Sequence, residues 1–501
     1  MKINELREEL GKHSWWIEEG PGLPQMLLYP LHGFITQANM FHPEKMSINL
    51  FVFKNKYWYE ISSENEKYEV YQWTFDKMKK DPLFLQRCIE TTRQRQKKLF
   101  LILDVFENTK NHMNNREIYQ SYISFMDEYL KYLEYPVAIE CIDVFSAYYL
   151  EKEVRDELPF LSGKQVNELI LTMSSLKILS FIENERIDFL TILLGYLNGI
   201  KKGLINNGLK QRLEMHSAKY FHTQNNYKTI KNLDANYFYE RLREESQKDK
   251  KNVEKELRSL KNKVYNLQAN AEYLRTKYDL SPELLLHFKI TETMGESIDN
   301  RKDMMLKMNH YINEYCKKIA KRTKVDLDDV HHYSVGEIKD LLLNNKTADP
   351  ELLKNRKKGF AYVTTRGDIN EINVDWFYGD HADEILNLTL PDKNAEIKGQ
   401  VASAPVKSII GTAQIIRDAS TEFFQKGNIL VTSMTRPEFV PLMRKAKAIV
   451  TDEGGLTCHA AVVSRELGIP CVIGTKIASK AIKDGSEIEI DLEKGVVREV
   501  K

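Results

Sequence analysis

Residues 451–475, TDEGGLTCHAAVVSRELGIPCVIGT, put a single histidine just after a glycine pair and at the head of a helix-like run. Gly454 and Gly455 open backbone angles closed to other residues, so the chain can turn sharply and bring amide N–H groups near an anion. From Ala460 to Leu467 small, apolar and charged residues recur at helical spacing. This predicts a helix that starts near His459 and stops at Gly468 and Pro470. The open amides and positive dipole end of such a terminus favour a phosphate, and Thr457 adds a hydroxyl donor. An imidazole there is placed to receive a phosphoryl group. Arg465, about two helical turns further on, is a further phosphate-binding candidate if the loop brings it close.

Working outward, MTRPEFVPLMRKAKAIVTDEGGLTCHAAVVSRELGIPCVIGT from Met434 resembles the phosphohistidine, or swivelling, domain of phosphoenolpyruvate-utilising enzymes. These include phosphoenolpyruvate synthase, pyruvate phosphate dikinase and rifampin phosphotransferase. The likeness extends over roughly residues 395–501 and includes the closing DGSEIEIDLEKGVV. It implies that His459 carries the phosphoryl group, beside the phosphate-binding candidates Gly454, Gly455, Thr457 and Arg465 read from the local pattern. Arg436 stands where the synthases tend to have an acidic residue, Leu456 where arginine or methionine is common, and SAPV at 403–406 replaces a Ser-Pro-Gly turn.

The 501 residues are too many for one ordinary core and suggest two to four domains, with 42% hydrophobic residues to fill them. Lysine and arginine number 73 against 72 acidic residues, a net charge of +1 that offers no electrostatic case for nucleic acid. Cys88, Cys141, Cys316, Cys458 and Cys471 are scattered without CxxC pairs, so no metal site is expected, and a reducing cytoplasm fits best. The charged N-terminus lacks a signal peptide's apolar core. No run approaches the ~18 apolar residues of a membrane span.

The expected architecture is multidomain, with a mainly α-helical central region and a C-terminal α/β swivelling phosphohistidine domain. Residues 1–70, with strand-like INLFVF and KYWYEIS, read as a small mixed α/β region. Residues 71–360 read as helical, including a long charged helix or helical hairpin over Asn236–Tyr278 and a capping box at Ser334–Glu337. Residues 361–394 read as strands and turns followed by a polar linker, and 395–501 as the swivelling domain.

Resemblance also frames what is missing. Dikinases of this family charge the histidine from an ATP-grasp domain, and no counterpart, P-loop or GxGxxG is found here. No cofactor is therefore expected in this chain; Mg-ATP is expected on a separate ATP-grasp protein acting in trans. No phosphoenolpyruvate-handling barrel follows the swivelling domain before Lys501. The layout resembles rifampin phosphotransferase without its ATP-grasp domain, which implies a small-molecule acceptor bound by residues 71–360. The competing reading is a non-catalytic regulatory or docking protein that keeps a swivelling domain.

Other residues read as structural. His331 and His332 lie in a polar loop, His216 and His222 flank an aromatic stretch, and Glu183 and Glu185 point to different helix faces. Cys458 reads as a packing residue beside the carrier position.

Overall fold

The computed structural model describes residues 3–26, 48–140, 145, 149–200, 207–366, 372–390, 396–419, 422–436, 439–455 and 458–500. The chain forms two compact units, Met1–Leu171 with Ile319–Lys501, and Thr172–Lys318.

In the first unit, β1 (Trp15–Pro21), β2 (Ile48–Lys54), β3 (Tyr57–Ser63), β4 (Gly359–Arg366) and β5 (Ile372–Tyr378) form one sheet in the order β1-β3-β2-β4-β5. Neighbouring strands are antiparallel throughout. Asn55 and Lys56 both take positive φ, 54° and 61°, as a two-residue hairpin between β2 and β3 requires. One face buries Leu50, Val52, Ile61, Ala361 and Val363 against helices Ile3–Leu10 and Asp380–Thr389. The strands after residue 358 thus complete the sheet begun near the N-terminus, a pairing that joins segments the sequence had separated. Residues 380–389, expected within a polar linker, are helical instead. Ala382, Ile385 and Leu386 recur on one side of that helix and have an apolar sheet face to cover.

Between β3 and β4 the described residues are mainly helical, from Glu64–Lys80 through Phe84–Thr109 and Asn115–Glu140 to Pro350–Lys358. The capping box at Ser334 is present, with the Ser334 side chain accepting from Glu337 N–H and Glu337 accepting from Ser334 N–H. In the second unit, Phe189, Leu193, Leu213, Phe238, Leu242 and Val253 share a core. The run from Asn236 to Tyr278 divides into Ala235–Glu245 and Lys250–Tyr278, because the Asp249 side chain caps Lys251 N–H and starts a new helix.

The C-terminal part of the first unit is α/β. Its strands are β6 (Ile397–Lys398), β7 (Gln400–Ser403), β8 (Ser408–Ile415), β9 (Ile429–Thr432), β10 (Ala448–Thr451), β11 (Cys471–Ile473), β12 (Glu487–Asp491) and β13 (Val496–Glu499). They form a sheet in the order β6-β13-β12-β8-β9-β10-β11-β7, in which β8, β9, β10 and β11 run parallel. β9, β10 and β11 are buried at every residue, which explains their unbroken apolar runs. A parallel pair needs a crossover, and helix His459–Leu467 supplies it between β10 and β11. His459 therefore sits just beyond the carboxyl end of β10, where sheets with parallel strands place ligand sites.

Candidate functional site at the His459 helix terminus

Helix His459–Leu467 begins at the histidine and ends at Gly468, which takes the left-handed conformation. Both limits agree with the spacing of the sequence. Val462 N–H bonds back to Cys458 O, while the Cys458 side chain caps no N–H of the first turn. That turn is the positive end of the helix dipole, and the half-buried imidazole stands at it.

Two loops flank the histidine. The first follows β9 and brings Thr435 Oγ1 to 2.8 Å from His459 Nδ1. The second follows β10 and contains the glycine pair. Gly454 has φ +107°, and a Cβ there would lie 2.6 Å from Cys458 Sγ, so the turn admits only glycine. Cys458 packs against that bare backbone, the role expected of it, and its own N–H bonds to Gly455 O at 2.9 Å.

Asp452 anchors the second loop. It is buried and accepts from Ser479 N–H at 2.9 Å, Thr475 Oγ1 at 3.1 Å and Ser479 Oγ. Asp452 N–H and Glu453 N–H donate to Thr432 O and Ser433 O, at 3.1 and 2.8 Å, tying the two loops together. Adjacent parallel strands end in this pair of cross-linked loops, so the imidazole is oriented by short connections on a rigid sheet.

Gly454, Gly455 and His459 are thus brought together. Arg465 occupies the last turn of the helix, about 9 Å along the axis from His459. Thr457 lies outside the described residues. Thr435 and Asp452 were not singled out from sequence; Thr435 lay within the TRPEF segment, but nothing local revealed its contact across 24 positions.

His331 and His332 are buried, and His332 Nδ1 bonds to Asp328 O at 2.7 Å. Burial lowers the His332 pKa. Among the described residues no three His, Cys, Asp or Glu side chains are arranged to hold a metal, and no helix is long and apolar enough to cross a membrane.

With this geometry in view, residues 424–495 match a family described as "PEP-utilising enzyme, mobile domain". The match is thus to the mobile domain of phosphoenolpyruvate-utilising enzymes and covers this C-terminal segment alone. Similar proteins include a "Probable phosphoenolpyruvate synthase" of Archaeoglobus fulgidus, 54% identical over 99 residues, 20% of this chain and 12% of that protein. The "Phosphoenolpyruvate synthase" of Pyrococcus furiosus is 52% identical over 102 residues, again 20% and 12%. A third, from Staphylothermus marinus and also named "Probable phosphoenolpyruvate synthase", is 47% identical over 124 residues, 22% and 15%. The chain thus spans 12–15% of the length of these three relatives.

Proposed function

We propose that this chain is a phosphotransferase component in which His459 carries a phosphoryl group between a donor and a small-molecule acceptor. The observation that carries the reading is the contact of Thr435 Oγ1 with His459 Nδ1. The tautomer whose Nδ1–H donates to that hydroxyl presents its lone pair at Nε2, the nitrogen that attacks. An imidazole with a reference pKa of about 6.5 is mostly neutral near pH 7, the form a nucleophile needs.

In the first transfer an Nε2–P bond forms as the bond from phosphorus to the leaving oxygen of the donor breaks. In the second, an acceptor oxygen takes the phosphorus and Nε2 regains its lone pair. The helix amides and glycine turn stabilise the charge on the equatorial oxygens, the main protein contribution in such transfers. Thr457 and Arg465 are secondary candidates for that task. The donor in this reading is ATP, held with Mg²⁺ by an ATP-grasp protein acting in trans. Residues 71–360 would bind the acceptor, by analogy of layout with rifampin phosphotransferase.

The chain is incubated with labelled phosphoenolpyruvate, and with labelled ATP plus an ATP-grasp candidate. Acid-labile label on the wild type and none on His459→Ala is expected. Label retained by the variant sinks the proposal. A wild type that stays unlabelled with every donor, yet binds its partner unaffected by His459→Ala, supports the docking-protein reading.

A further inference from the structure

Among the described residues β1 is the edge of its sheet, paired on one side with β3 along its whole length. The C-terminal domain engages both backbone groups of Glu19. Glu453 Oε1 accepts from Glu19 N–H at 3.2 Å, and Arg436 Nη2 donates to Glu19 O at 3.1 Å. Arg436 directly follows Thr435, and Glu453 directly precedes Gly454, so the two loops that flank His459 are the two that grip β1. Gly20 makes room for this: a Cβ there would lie 2.3 Å from Arg436 Nη2. Lys480 Nζ approaches Glu19 Oε2 at 3.3 Å, and Lys476 reaches Glu64 at 2.7 Å.

From these contacts we infer that the outer edge of β1, Glu18–Gly20, is a reversible docking station for the phosphohistidine domain. Its purpose rests on the carrier reading of His459; its existence does not. Among the described residues the grip consists of side chains that meet the Glu19 backbone and the Glu19 and Glu64 carboxylates rather than of a continued strand ladder, so it can be released without unpairing a sheet.

Docking is also linked to protons. Glu18 and Glu19 from β1 meet Asp452 and Glu453 around Arg436 and Lys480, with Tyr57 and Tyr59 of β3 facing Glu19 and Lys67 beside Glu18 at 3.8 Å. Burial first, then Glu18 and Glu19, push the Glu453 carboxyl well above its usual value, against the pull of Lys480 and Arg436. Burial also raises Glu19, opposed by Lys480 and aided by Asp452. A carboxyl raised on docking binds its proton more tightly in the docked form. Docking is therefore strongest at low pH and weakens as pH rises above the ordinary carboxyl range near 4.5.

Amide hydrogen exchange of residues 15–21 in the full chain, corrected for intrinsic rates, reads the docked fraction. Wild-type protection is expected to fall severalfold between about pH 5 and about pH 8. Glu453→Gln, which keeps the acceptor oxygen, should shrink that fall to the part that Glu19 contributes. Gly20→Val should lower it about tenfold throughout; should that variant lose its sheet, Arg436→Ala tests the grip from the other side. Unchanged protection in Arg436→Ala, or wild-type protection equal at the two pH values, overturns the proposal. No phosphoryl donor is used, so failed labelling of His459 sinks the carrier reading and leaves this result standing.

Discussion

Two histidines in this chain show what separates a reactive side chain from a structural one. His216, in the second unit, is buried; its Nε2 lies 3.0 Å from Glu185 Oε1, and its ring stands edge-on to Phe238 at 4.6 Å. Glu185 is shared with Arg241 at 2.7 Å. Burial alone would raise the Glu185 carboxyl, but His216 and Arg241 outweigh it and hold the pKa below the usual value. That imidazole is a cross-link in a core. His459 is half-buried at a helix terminus, with the neutral Thr435 hydroxyl on Nδ1. A hydroxyl orients the ring without placing a charge beside it, which suits a nucleophile; a carboxylate shared with an arginine ties the ring into a charged network, which suits a structural cross-link.

The contrast is sharpest in its extremes. His459→Ala should abolish acid-labile labelling while moving the urea midpoint little, whereas Glu185→Ala should destabilise the fold by about 3–5 kcal/mol, because His216 and Arg241 lose their shared anion. Comparable stability losses at the two positions would break the comparison. Gly454→Ala should cost about 2 kcal/mol, since φ +107° and the contact with Cys458 both resist a side chain, and should slow labelling as the loop shifts. Thermal melts and labelling rates together check this. Thr435→Val is expected to slow labelling about tenfold with Thr435→Ser near wild type; equal rates in all three would remove the hydroxyl from the argument for Nε2.

The smallest effect concerns acid. Glu185 lies below its usual pKa and Glu245 is brought down to about 2, where Arg186 and Lys248 overcome the opposing effect of burial. Carboxyls depressed by folding stabilise above their unfolded value, and that contribution is lost as pH falls from about 4.5 towards 2. The urea midpoint should drop across that range, with Glu245→Gln flattening the dependence. Glu453 and Glu19 carry the opposite sign: their contribution to docking is lost as pH rises above about 4.5, so it is already complete where the charged network of the second unit weakens.

Much of the His459 site is legible in 25 consecutive residues because its elements are local. A glycine pair permits the turn, helical spacing follows, and Gly468 stops the helix three positions before β11 begins. The capping box at Ser334 was readable for the same reason, its two bonds spanning three residues. The helix at 380–389 was missed because its polar composition outweighed a short apolar stripe whose worth depends on the sheet beneath it. The pairing of β2 with β4 was equally hidden, since an apolar strand specifies that it will be buried, not which distant strand will lie beside it.

By itself, then, the sequence determined the histidine, the turn that precedes it and the helix that presents it, because backbone freedom and helical period act between near neighbours. Only the tertiary structure decided which hydroxyl orients the ring and which strand edge the two loops grip. Thr435 stands 24 positions from His459, and Glu19 stands 417 and 434 positions from Arg436 and Glu453. Contacts at that separation are set by sheet order and burial, which no local pattern encodes.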